Sequence, residues 1–319
     1  MPKPAQQDVH IDSILTNISI GYMNADKNYI AGQVFPTIPV SKQTDKYFTY
    51  AKGDWFKDEA QRRADATESE GSGYGLSTSS YSCDVYAFHK DIGDQTRKNA
   101  DSPLNLDQDA TKFVTQRLLM RRELQFVTEY FTTSVWGTDK TGGSDFTVWS
   151  DSAGSDPIED IENGKEAILS VTGLMPNTLV IGYQVFRKLR NHPDIVDRIK
   201  YTSSQTVTVE MLAQMFEVDR ILVARAIKNT ANEGATDAFS FAYGKHALLC
   251  YSNPSPGLLA PSAGYIFQWT GVNEVMGEQV GLSRFRMDLK RADRIEGQMA
   301  WDNKVIGTDL GYFFSGAVA

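Results

Sequence analysis

Between Asp109 and Phe131, apolar residues fall at Phe113, Met120, Leu124, Val127 and Phe131, close to one every 3.5 positions. Val114, Leu118, Phe126 and Tyr130 widen that stripe, and neither Pro nor Gly interrupts it. The spacing predicts an amphipathic helix over 107–131, about 37 Å long at 1.5 Å per residue. Asp107 or Asp109 is placed to cap its start, where a carboxylate meets unpaired amides. Upstream the texture differs. The first 35 residues carry scattered apolar positions (Ile11, Ile14, Leu15, Ile18, Ile20) without a clean long period, as in an arm that packs on something, another subunit being one candidate. Phe35 to Tyr50 and Tyr81 to Phe88 favour extended backbone, and Gly53 to Gly75 between them is polar and glycine-punctuated. Two strands around a long polar tip predict an extended hairpin that projects away from any core.

Gly137 to Gly154, rich in Gly, Ser and Asp, marks a boundary, after which helices and strands alternate. Asp156-Pro157-Ile158-Glu159 is a strong helix start, with Ile158, Ile161, Ile168 and Leu169 lining one face. Thr178 to Ile181 reads as a buried strand, Tyr183 to Asn191 and Val209 to Phe216 as helices, and Ile221 to Ala224, Phe239 to Tyr243 and Ala247 to Tyr251 as strands. A proline-rich loop at 253–264 closes this region. The tail returns to strand alternation, with Phe285, Met287 and Leu289 opposite Arg284, Arg286, Asp288 and Lys290, and then Ile295, Met299 and Trp301 opposite Arg294, Glu296, Gln298 and Asp302. A last strand covers Tyr312 to Val318. Strands and a long helix thus enclose an inserted α/β region.

Composition narrows the function classes. At 41% apolar and 23% charged residues, the 319-residue chain is globular, with one large or two medium domains. A net charge of -8 disfavours a protein whose main work is gripping phosphate. No apolar run approaches the ~18 residues of a membrane span, and no secretory leader is seen in the polar N-terminus, so cytosolic synthesis is expected. Cys83 and Cys250 stand apart in apolar runs and read as buried free thiols.

Candidate chemistry is sparse. His192-Pro193-Asp194 with Ser203 lacks the Gly-x-Ser-x-Gly turn of a hydrolase, and His192 reads as a surface residue at a helix end. His89 and His246 lack the spacing of a zinc site. Gly71-Ser72-Gly73-Tyr74-Gly75 has no following Lys-Ser/Thr and adjoins Glu68 and Glu70, which makes it a loop tip rather than a phosphate cradle. Arg117, Arg121 and Arg122 form a basic stripe on the long helix, read first as partners of neighbouring carboxylates and second as phosphate contacts. No catalytic residue, cofactor or metal is assigned.

The order of these elements resembles the major capsid proteins of tailed bacteriophages, whose fold encapsulin compartments share. The resemblance rests on Met175 to Gly182 followed by Val185-Phe186-Arg187, on Leu212-Ala213 with Phe216 to Val223, on Asp293-Arg294-Ile295-Glu296 and on Gly311-Tyr312-Phe313-Phe314. It implies an α+β fold of the Hong Kong ninety-seven type. Its parts would be an N-terminal arm (1–35), an extended loop with flanking strands (36–100), a peripheral domain (101–155 and 264–319) holding spine helix 107–131, and an α/β axial domain (156–263). It further implies a non-enzymatic protein that assembles as hexamers and pentamers into an icosahedral head around packaged double-stranded DNA. The implied location is the virion, after assembly in the bacterial host cytoplasm. An encapsulin-like compartment is the alternative and an α/β hydrolase the distant one. Implied partners are copies of itself, a separate scaffolding protein, a portal, a decoration protein and DNA bound non-specifically, with no membrane. Trp55, Phe56, Arg62, Arg63, Tyr74, Arg117, Arg121 and Arg122 are the subunit-interface candidates, and Phe113, Met120, Leu124 and Val127 the expected core of the spine helix.

Overall fold

In the computed structural model, the described residues are 24–100, 104–199, 207–257, 259–272 and 280–319. The arm positions before residue 24, and Ser203, lie outside them. Among the described residues the strands form two five-stranded sheets and two separate ribbons.

The first sheet is built on one long strand, β13 (Ala292–Val305). Along one edge it pairs antiparallel with β4 (Asp84–Gly93) from Ala292 to Trp301. Along the other it meets β12 (Gly281–Met287) and then β11 (Gly264–Trp269), which in turn carries β1 (Thr37–Val40) in parallel. Helix α3 (Leu106–Tyr130) lies across β13 and β4, within one residue of the expected bounds. Its cap is Asn105, whose side chain accepts from the Gln108 amide at 3.2 Å; Asp107 is drawn instead into ion pairs, and so neither expected aspartate caps the helix.

The buried face of α3 is Ala110, Val114, Leu118, Arg122, Phe126 and Tyr130, a ridge at four-residue spacing. This corrects the expected phase. Phe113 is 40% exposed, and Met120, Leu124 and Val127 are only half-buried, Leu124 and Val127 packing on the core margin. The physical reason lies on the partner surface. Gly297 in β13 admits Val114 and Leu118 so closely that a Cβ there would sit 2.6 Å from Val114 Cγ1 and 2.8 Å from Leu118 Cδ1. Farther along, the Phe126 and Tyr130 rings close on Phe35 at centroid distances of 6.0 and 5.0 Å.

The second sheet runs β5 (Thr138–Thr141), β14 (Gly311–Ser315), β10 (Ala247–Cys250), β6 (Thr178–Gly182), β7 (Arg220–Ala224). Every residue of β6 and β10 is buried, as continuous apolar runs with both faces covered require. Helix α4 (Pro157–Thr172) starts as its sequence predicts, the Asp156 carboxylate accepting from the Ile158 and Glu159 amides. Gly164 seats it against Leu249, Tyr312 and Phe314. The closing strand is a correction to the expected partition. β14 and β5, expected with the spine helix, pair within this second sheet, because Tyr312, Phe313 and Phe314 fill its core.

Helices α5 (Tyr183–Arg190), α6 (Pro193–Ile199) and α7 (Val209–Met215) surround this sheet, Pro193 opening α6 as well as ending α5. Helices α1 (Ala31–Val34) and α2 (Asp94–Lys98) are single turns. The ribbons are β2 (Thr44–Tyr50) with β3 (Leu76–Ser82), and β8 (Ile227–Asn229) with β9 (Phe239–Phe241). In the tail, the expected alternation breaks at Leu289, which leaves the strand in a 3-10 turn and is fully exposed, while Phe285 sits on an edge strand open to solvent.

Candidate assembly surfaces

The β2/β3 ribbon is an antiparallel hairpin in register from Thr44 opposite Ser82 to Tyr50 opposite Leu76. Its mouth is closed by the Ala51 amide on the Gly75 carbonyl and by Asp54, which accepts from the Gly75 amide and from Lys57 Nζ, both at 2.8 Å. Those donors, Lys57 first, hold the Asp54 carboxyl below its ordinary range. Beyond the mouth the tip is exposed throughout, and Trp55, Phe56 and Tyr74 are all more than half exposed. Trp55 and Tyr74 meet at 5.5 Å, and Tyr50 completes a three-ring cluster. Arg62 and Arg63 stand in the exposed coil. The tip does not project wholly free as expected: Lys52 pairs with Asp309, and the Phe56 ring edge rests against Gly173 at the end of α4.

The helix arginines separate by direction. Arg122 turns inward, 5% exposed, with Nη2 reaching Thr37 Oγ1 at 3.5 Å; a position on an outer contact surface is therefore corrected for this residue. Arg117 and Arg121 remain outside. The expected carboxylate partners are replaced by rings: Arg117 lies 5.0 Å over Phe113 and Arg121 5.2 Å over Tyr86.

Three constellations were not visible in the sequence. An ion-pair network ties the start of α3 to β12, β13 and β4. Arg97 grips Asp107 with two hydrogen bonds (3.0 and 2.8 Å), Arg286 grips Asp94, Arg284 pairs with Asp293, and Arg294 grips Asp91 at 2.7 and 2.9 Å. The Arg294 bonds pull the Asp91 carboxyl down to about 2. Buried Glu123 accepts from the Ile30 and Ala31 amides, each at 3.0 Å, and from the Tyr243 hydroxyl. Burial outweighs these donors and raises its carboxyl above the usual range. Finally, the Asn24 side-chain amide bonds both the carbonyl and the amide of Ile227 (3.0 and 3.2 Å), fastening the chain there to the edge of the β8/β9 ribbon. The partners in these sets lie up to 203 positions apart, so no local signal points to them.

His192 is the remaining correction. It is buried, not on the surface, because Ser155 Oγ lies 3.0 Å from its Nε2 under the α4 entry loop. The Ser155 hydroxyl donates to the Asp151 carbonyl at 2.6 Å, so its proton points away from the imidazole; His192 Nδ1 is 3.5 Å from Asp194 without a hydrogen bond. That orientation makes a structural tie, not a nucleophile with its base. Burial pushes both the Cys83 and Cys250 thiols up to about 12, which keeps them protonated and unreactive. Among the described residues no group of His, Cys, Asp and Glu is arranged to hold a metal ion.

The described surface carries a ring cluster on a hairpin, a long helix and ion-paired edges. This fold matches those of solved phage capsid and encapsulin structures. It matches the capsid structure of the cyanophage P-SCSP1u with a TM-score of 0.64 at 11% identity, over 98% of this chain and 94% of that one. It matches a phage-related protein of Bordetella bronchiseptica RB50 with a TM-score of 0.68 at 23% identity, over 92% and 94%. The SrpI encapsulin of Synechococcus elongatus gives 0.57 at 10% identity, over 96% and 93%. No family model matches the chain. Curated relatives are more specific: it is 30% identical to the major capsid protein of Pseudomonas phage JBD67, over 97% of both chains, and 29% identical to that of Burkholderia phage BcepMu, over 96% of both. The chain belongs to the family of phage major capsid proteins, and its function is that of a structural shell protein.

Proposed function

We propose that this subunit assembles as hexamers and pentamers into a closed icosahedral head around packaged double-stranded DNA. The observation that carries the reading is the pair of exposed rings Trp55 and Tyr74, clustered with half-buried Tyr50, on a hairpin that has no core of its own. Aromatic side chains are among the groups that dominate binding energy when a partner covers them. In this reading 36–100 is the loop that overlaps a neighbouring subunit, 1–35 the arm, 101–155 with most of 264–319 the peripheral unit and 156–263 the axial unit. The closing strand joins the axial sheet. A separate scaffolding protein guides assembly in the host cytoplasm, a portal occupies one vertex and a decoration protein binds the finished shell. The curated relatives, both phage proteins, favour a head over an encapsulin-like compartment, and likewise a structural subunit over an enzyme.

Replacing residues 55–74 with a short Gly-Ser linker tests the reading. Circular dichroism should stay near native, since α3 and the α4 sheet keep their own contacts. Sedimentation should show particles absent or fragile, because every subunit is deprived of one interface. Equally abundant and equally stable particles would mean the segment is a passive loop.

A further inference from the structure

Helix α3 and strand β4 build a row of cations on aromatic faces. Tyr86, Phe88 and Lys90 alternate onto one face of β4, opposite Arg121, Arg117 and Phe113 of the helix. Arg121 lies over Tyr86, which itself stacks on Trp301 at 4.2 Å. Arg117 and Lys90 both lie over the Phe113 ring, at 5.0 and 5.7 Å, and Phe88 buttresses that ring at 5.8 Å. Both arginines and Lys112 are exposed. Neither Arg117 nor Arg121 has a carboxylate partner among the described residues. Four acids around the start of the helix are already occupied: Asp107, Asp94, Asp293 and Asp91 are held by Arg97, Arg286, Arg284 and Arg294. Charge is thus segregated along α3, neutralised at its start and positive at its middle.

We propose that Arg117 and Arg121, steadied by Phe113 and Tyr86, form a contact for the phosphate backbone of duplex DNA. The inference rests on the reading of the protein as a shell around DNA and names the surface of the subunit that touches it. Three features favour a polyanion over a neighbour's carboxylate. The cations form a line, the two arginines one helical turn or about 6 Å apart along the axis, which suits an extended row of charges. A guanidinium stacked on a ring keeps its N–H edge turned to solvent, in the fork geometry that matches phosphate oxygens. A phosphate-backbone contact carries no base readout, and such a non-specific grip suits a shell that must accept any sequence. Two such residues on a chain of net charge -8 give a weak hold per subunit, multiplied over the shell.

The test uses full-length unassembled subunits and a 60-base-pair duplex of mixed sequence, titrated by fluorescence anisotropy from low to moderate salt. The double variant Arg117→Gln/Arg121→Gln is expected to bind about tenfold more weakly at low salt. Its plot of log K against log salt should be shallower by about 1.8, at roughly 0.9 for each phosphate that is no longer neutralised. Arg117→Lys/Arg121→Lys, which keeps the charge, should recover most of that slope, and Phe113→Leu should weaken binding two- to threefold at unchanged charge. Wild-type subunits without salt-dependent binding would overturn the proposal. So would a Gln variant, native by circular dichroism, that binds DNA like wild type but assembles poorly, which would assign the arginines to a neighbouring protein. Absence of closed particles from the wild type would count against the shell reading itself and is scored separately by electron microscopy.

Discussion

The Tyr243 hydroxyl donates a 2.7 Å hydrogen bond to Oε1 of Glu123, joining the chain between β9 and β10 to helix α3 across 120 residues. The same carboxylate takes the Ile30 and Ala31 amides, so one buried side chain fixes three segments. Glu123→Gln keeps the shape but turns an amide donor toward groups that already donate. It is expected to cost about 1–3 kcal/mol of subunit stability, the usual cost of a buried donor left without its acceptor. Because the folded-state pKa of Glu123 is raised above its unfolded value, its favourable contribution is complete below the unfolded value near 4.5 and declines as pH rises through the folded one. Thermal denaturation of both proteins from pH 4 upward should show wild type losing ground relative to the variant. A gap that widens in favour of wild type with rising pH would contradict the assignment.

The phase of the spine helix separates two neighbouring residues. Val114→Asp drives a carboxylate into the contact with Gly297 and is expected to abolish soluble protein, at a cost of several kcal/mol for an unpaired buried charge. Phe113→Asp, at an exposed position, should leave soluble subunits of near-native circular dichroism. The reverse pattern would restore the stripe through Phe113, Leu124 and Val127.

Acid should act at the sheet edge. Asp91, held down to about 2 by Arg294, contributes stability that is complete above its ordinary pKa near 4 and is lost as pH falls toward 2. Asp91→Asn should therefore lie about 1–2 kcal/mol below wild type at pH 6 and converge with it near pH 2, as followed by urea titrations at each pH. Parallel curves over that range would show that the pair adds nothing.

His192→Ala probes the buried tie to Ser155. Removing the imidazole leaves a cavity and strips a buried hydroxyl of one partner, for an expected loss of about 1–3 kcal/mol in denaturant unfolding. Ester hydrolysis by purified wild type that disappears in this variant would contradict the structural role.

Elements written in local pattern were legible. The bounds of α3, the Asp156 cap of α4, the buried run at Thr178 to Ile181 and the polar-tipped hairpin all follow from neighbours within a few positions. What depends on distant residues was not. Val114 is buried instead of Phe113 because Gly297, 183 positions later, makes room for it. Asp107 is taken from its cap by Arg97, and β14 joins the second sheet because its three aromatics fit that core. At the candidate surfaces, residue type pointed to Trp55, Phe56 and Tyr74. It did not show that Arg122 turns inward while Arg117 and Arg121 stack on rings, since β4 supplies Tyr86 from another part of the sequence.

The central claim is that this chain builds a closed shell, and electron microscopy of the purified protein, expressed together with any neighbouring scaffold gene, tests that claim most directly. The account expects closed, uniform icosahedral particles on the order of 500 Å across, roughly the size that hundreds of laterally joined subunits of this mass enclose. Dimers or tetramers alone, in the presence of that scaffold, would contradict it.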